Sequence, residues 1–204
     1  AQIHTDRIVR ATDVIIDIEG FGSVAVTGPG DLVDQFLAAT ITALSSSPYA
    51  DILTFIDDHK VALHGLDRHL RHRLGVDSID TLISRIGHWI TPFNFDDQHL
   101  IAARRQLGSE YEPCIAALVT ELTDEQRATI RSLPLDGSHP IAILTTDTDI
   151  AATVFDLDND GNTVLDGQVV RCHRLAPATA AIAATLFDVD DTLETIDTVP
   201  LDEY

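Results

Sequence analysis

Gly28-Pro29-Gly30-Asp31 stands between an apolar β-type run, Val24-Ala25-Val26-Thr27, and a helical pattern. A phosphate-binding loop has this order of strand, glycine-rich turn and helix N-terminus. Such a loop turns backbone N–H groups and the positive end of a helix dipole toward an anion. A nucleoside triphosphate also needs a Lys against its phosphates and a Ser or Thr for Mg²⁺. No Lys follows here, because the chain's one lysine is Lys60. The helix opens with Asp31 and Asp34, which repel phosphate. With Gly28 and Gly30 as backbone donors, nucleotide binding would need another cation, such as Arg171 or Arg174. The simpler expectation is a tight strand-to-helix turn with Asp31 as N-cap.

Asp156, Asp158 and Asp160 occupy positions one, three and five of a calcium-loop pattern, with Gly161 at six. The bidentate acid at position twelve is missing. Gly167 stands there, and Asp166 comes one residue early. Asn159-Asp160-Gly161 is also a strong turn signal. We therefore expect a hairpin, with strands over 152–157 and 163–171, and keep a Ca²⁺-stabilised module as an alternative. His64, His69 and His72 lie in a basic patch with Arg68, Arg71 and Arg73. His69 and His72 are three apart, a spacing that suits Zn²⁺ on one helix face. No Cys is near, so an exposed polar helix over 66–74, or a partner contact, is the expectation. Cys114 and Cys172 sit at the ends of apolar runs and read as small hydrophobes. Trp89 reads as a core or helix–helix contact. The chain carries no G-x-S-x-G elbow, no H-E-x-x-H and no full dinucleotide fingerprint. No catalytic residue is assigned, no cofactor is expected, and the chain reads as a non-enzyme.

These residues need elements to hold them. The β-branched run 14–18 reads as a strand, and with 23–27 as an opening hairpin. Val33, Phe36, Leu37, Thr40, Ile41 and Leu44 recur at helical spacing. A strand is expected at 51–56, an amphipathic helix at 79–90 and a polar helix over 96–106. The continuous apolar runs 113–119 and 140–145 read as strands buried on both faces, as in a parallel sheet. Thr123 with Gln126 forms a capping-box pattern before a helix reaching 133. An Ala-rich helix is expected over 177–187. Strands alternating with helices define an α/β fold: a three-layer sandwich with a mainly parallel central sheet, P-loop-NTPase-like, with hairpins at the start and near the end.

The run Ile16 to Gly30, the apolar strand 113–119, the strand 141–145 and the hairpin before a final helix carry a resemblance. Together they resemble the central region of large actinobacterial proteins with LysM peptidoglycan-binding modules and a bacterial transcriptional activator domain. That region is similar to a degenerate P-loop ATPase of the DNA-translocase and type VII secretion type. The resemblance implies an ATPase-like fold over 14–187. It also implies a loop Lys, absent here, and an acidic residue after the Cys114 strand, where Thr120-Glu121 is the candidate.

Composition narrows the function classes. Of 204 residues, 33 are Asp or Glu and 13 Lys or Arg, a net charge of −20. Such a chain is repelled by nucleic acid and anionic membrane faces. The 45% hydrophobic and 23% charged content is globular. No run approaches a membrane span, so no direct membrane insertion is expected. The chain opens at Ala1 and has no Met, which reads as a piece of a longer or processed protein. Residues 1–13 read as a lead-in, 14–187 as one domain and 188–204 as an acidic tail or linker. Taken together, the sequence predicts a non-catalytic ATPase-like module that contacts a protein partner or other domains of its parent chain. Two unpaired cysteines favour the cytoplasmic side, with a parent protein free to be membrane-attached.

Overall fold

The computed structural model describes residues 18–46, 54–58, 60–70, 73–76, 78–90, 114–135, 139, 141–165 and 167–193. The expected helix over 96–106, strand residues 14–17, and His72 lie outside them. Among the described residues, six strands form one parallel sheet: β1 (Ser23–Thr27), β2 (Thr54–Asp57), β3 (Arg73–Gly75), β4 (Cys114–Leu118), β5 (Ile141–Thr145) and β6 (Thr153–Asp156), in the order β3-β2-β4-β5-β1-β6. A separate antiparallel pair follows, β7 (Asn162–Leu165) with β8 (Gln168–Arg171). The helices are α1 (Ile18–Phe21), α2 (Gly30–Ser45), α3 (Ile79–Ile90), α4 (Asp124–Arg131) and α5 (Pro177–Leu193).

The apolar runs explain the centre of the sheet. Every residue of β4 and of β5 is buried. Period-two alternation divides them between two cores. Ile115, Ala117, Ala142 and Leu144 face α2, Leu66 and α5. Cys114, Ala116, Leu118, Ile141 and Ile143 face α3, Ile130 of α4 and Ile150. This is the expected three-layer α/β sandwich.

The direction of each crossover decides its face. Parallel crossovers are right-handed, so connections running opposite ways along the sheet lie on opposite faces. β1→β2 and β2→β3 run one way, and their connectors, α2 and Leu66, lie on the first face. β3→β4, β4→β5 and β5→β6 run the other way, with α3, α4 and Ile150 on the second. The sense changes between β1 and β5, and again between β2 and β4.

Several expectations are corrected. The opening hairpin does not form: β1 has parallel partners on both edges, β5 and β6, leaving no free edge for 14–18. Ile18 instead begins the helical turn α1. The later hairpin is shifted. Strand 153–156 joins the main sheet beside β1, and the antiparallel pair closes between Leu165 and Gln168. Gly167, inside that closure, has φ +75°, which suits a tight hairpin turn. The helix over 66–74 shrinks to a 3₁₀ turn, Leu66–His69, before β3. α2 begins at Gly30 with Pro29 as N-cap, so Asp31 sits inside the first turn. The last helix runs to Leu193, beyond the expected start of the acidic tail. The capping box is present: Gln126 N donates to Thr123 Oγ1 at 3.3 Å and Thr123 N to Gln126 Oε1 at 2.9 Å.

Two substitutions gauge this architecture. Ile143→Ala, at a fully buried site in β5, should cost about 2–5 kcal/mol in denaturant unfolding. Thr123→Ala should cost about 1 kcal/mol through the lost cap.

Candidate functional site

In open α/β sheets, ligands bind outside the carboxyl ends of the strands, where the crossover sense changes. Here that rule points to the β1/β5 and β2/β4 crevices.

At β1/β5 the turn is short. Only Gly28 and Pro29 separate Thr27 from Gly30. Pro29 O accepts from Leu32 N at 2.9 Å and Val33 N at 3.0 Å, which closes the first turn of α2. Gly28 has φ +128°, and a Cβ there would stand 2.5 Å from Leu157 O. Leu157 N donates to Thr27 O at 2.8 Å, and Thr27 Oγ1 donates to Asp156 Oδ1 at 2.8 Å. The segment after β6 is thus packed directly on Gly28. Gly30 faces open space, with no heavy atom within 4 Å of a built Cβ. The two glycines do different things: Gly28 permits a close backbone approach, and Gly30 carries no such constraint.

After β5, Asp147 Oδ2 is 2.7 Å from Arg127 Nε, and Asp124 is 3.1 Å from another nitrogen of the same guanidinium. The Asp147 hydrogen bond holds Arg127 above its ordinary pKa. Asp147 also accepts from Asp149 N at 2.9 Å, and Thr145 Oγ1 accepts from Asp147 N at 3.0 Å.

At β2/β4, two successive amides, Val119 N and Thr120 N, donate to Asp58 Oδ2 at 2.8 and 2.7 Å. Adjacent backbone N–H groups at a strand end form an anion site. The chain's own carboxylate fills this one. Asp58 was missed in the sequence because Asp57-Asp58 reads simply as a polar strand end. Glu121, the residue implied by the resemblance, is exposed.

The calcium-pattern residues part company. Asp156 binds Thr27. Asp158 accepts from Asn162 N at 2.8 Å, from Asn162 Nδ2 at 3.0 Å and from Asp160 N at 2.9 Å. Its oxygens close the turn between β6 and β7. Among the described residues, no three His, Cys, Asp or Glu side chains are gathered to hold a metal ion. The basic patch also has another use. Arg68 and His69 pair with Asp188 of α5, and the His69 ring lies 5.4 Å from that of Phe187. Arg174 lies over Gly161, its guanidinium 3.0 Å from a built Cβ.

Both cysteines are buried thiols. Burial pushes the Cys114 thiol up to about 12 and also raises Cys172. Neither therefore holds a ready thiolate. Cys172 also lines a cavity of about 350 Å³ between α2, the sheet and the segment 170–173. Val24, Leu144 and Phe155 line it from the sheet, and Phe36 and Leu44 from α2. Sequence reasoning could not assemble these residues, because they come from five separate segments. No family model matches the chain, and no curated protein matches it.

Gly28→Ala should destabilise by about 1–3 kcal/mol, through positive φ and the Leu157 contact. Gly30→Ala should be neutral or slightly stabilising, since alanine is the better helix former. Chemical denaturation distinguishes the two. Asp58→Ala leaves the Val119 and Thr120 amides without their acceptor and should cost roughly 1–3 kcal/mol. Hydrogen bonds from the Asn162 backbone and side chain hold the Asp158 carboxyl below its ordinary value. A carboxyl lowered in the folded state stabilises above its unfolded pKa, about 4, and loses this as pH falls through the folded value. Asp158→Asn should flatten that acid-side part of a stability–pH profile.

Proposed function

We propose that this chain is a non-catalytic, ATPase-like α/β domain. It works by contact with a protein partner or with neighbouring domains of a longer parent chain. One observation carries the reading: at the carboxyl edge of the sheet the protein's own atoms stand where a ligand would. Leu157 lies on the Gly28 turn, and the Asp58 carboxylate holds the amide pair after β4. A triphosphate at the Gly28 turn would meet Leu157 and Asp31 without a loop lysine, and an anion at the amide pair would have to displace Asp58.

Surface chemistry supports contact with protein. Ile182 and Leu186 are one helical turn apart on α5 and 63% and 65% exposed. Val164 and Val169 are directly paired across β7–β8, and both are exposed. Exposed apolar residues grouped on one element mark contact surfaces. The net charge of −20 selects against nucleic acid and favours an apolar or basic protein face. No helix among the described residues is long and apolar enough to cross a membrane. Buried, unpaired cysteines suit the reducing cytoplasmic side.

Calorimetric titration with millimolar Mg·ATP and Mg·GTP should give no saturable heat, and the melting temperature should not move. Saturable binding of either nucleotide would overturn the reading, because a ligand of the native state stabilises it by mass action. Hydroxyl-radical footprinting adds a positive measurement. Ile182, Leu186, Val164 or Val169 should be protected in the cell of origin relative to the purified domain. Equal labelling in both would sink the contact role.

A further inference from the structure

We propose that the cleft between α2 and β8 binds an amphipathic monocarboxylate of the free fatty acid class, with its chain inside and its carboxylate on Arg171. The cavity measures about 350 Å³, within the range of ligand sites, about 300–1,000 Å³. Its lining is apolar: Val24, Leu144 and Phe155 from three strands, and Phe36 and Leu44 from α2. Thr40, also on the wall, spends its hydroxyl within the helix, donating to Phe36 O at 2.9 Å. Ala39 and Ala43 face the space with the smallest side chains, so the α2 wall leaves room rather than filling it.

Charge enters from one side. Arg171 and His173 line the cavity and are exposed. Among the described residues, the Arg171 guanidinium pairs with no carboxylate. Asp158 is the acid near Cys172, and its oxygens are taken by Asn162 and the Asp160 amide. The Cys172 thiol stays protonated in this setting and adds no negative charge. A guanidinium with no carboxylate partner among the described residues, beside an apolar cleft, complements a carboxylate attached to a hydrocarbon chain. A neutral hydrocarbon would leave Arg171 unused, and a nucleotide would bring too many charges into apolar walls.

The test uses the whole chain and monomeric laurate, followed by calorimetry and by displacement of a fluorescent dansyl-undecanoate. One saturable site is expected, with decanoate binding roughly tenfold more tightly than octanoate. Ala39→Phe should fill the cleft and weaken laurate at least about tenfold. Arg171→Gln, at an exposed position that leaves the fold intact, should weaken laurate about tenfold. The same change should leave dodecanol binding unchanged. No saturable laurate binding to the wild-type chain would overturn the proposal. So would equal affinity for laurate and dodecanol, or an Arg171→Gln variant that binds laurate normally. Binding to phosphatidylglycerol vesicles without binding of monomeric laurate would also overturn it, in favour of a lipid surface. Nucleotide titrations do not bear on this cleft, so the two readings fail separately.

Discussion

A carboxylate held by two backbone amides decides what the carboxyl edge of this sheet can do. Asp58 accepts from Val119 N and Thr120 N, and so ties the end of β2 to the end of β4 at a change of crossover sense. Hydrogen bonds to an ionised acceptor are about twice as strong as neutral ones. An external anion would have to compete with a covalently tethered one. The tether gives the internal carboxylate a high effective concentration, with no translational entropy to lose. The same economy operates at Gly28. There the chain after β6 folds back so closely that only a glycine fits beneath Leu157. In both crevices the chain's own atoms form an internal strut.

Much of this fold was legible because its central strands are extreme. Cys114 to Leu118 and Ile141 to Leu144 are apolar throughout, and only a strand covered on both faces buries every residue of such a run. The capping box at Thr123 and the helix at Ile79 follow from local chemistry and reappear as expected. Errors arose where pairing is non-local. Ser23–Thr27 looks like half of a hairpin, but its partners come from residues more than a hundred positions away. Thr153–Asp156 was assigned to the wrong sheet for the same reason: periodicity gives a strand its faces but not its neighbours. The Asn159-Asp160-Gly161 turn joins the two sheets, and the antiparallel pair closes later, between Leu165 and Gln168.

The candidate sites were legible only in part. Gly28 to Asp31 stands where the sequence placed it, at the mouth of a βα unit. Its closure could not be read, because Leu157 lies far along the chain. Asp58 carries no motif at all; its role exists only once β2 and β4 are neighbours. The basic patch shows the reverse. Its sequence reads as an exposed polar helix or a partner contact, whereas Arg68 and His69 dock α5 through Asp188. A histidine has several uses for one spacing, and tertiary partners choose among them.

The closed turn and the open cleft belong to one piece of structure. α2 begins at the Gly28 turn, and residues from its middle and C-terminal half line the cleft. β6 carries Phe155 into the cleft, and two residues later Leu157 reaches Gly28. Period-two alternation puts Phe155 and Leu157 on one face and turns Asp156 toward Thr27. Sealing the turn therefore fixes both the start of α2 and the register of β6. Those two quantities set the distance between the walls of the cleft. A rigid turn at one end lets small side chains such as Ala39 leave space at the other without the helix settling into it, because close-packed interiors transmit displacement rather than absorb it. The closed Gly28 turn at the carboxyl edge and the apolar cleft behind it share one set of packed elements, α2 and β6.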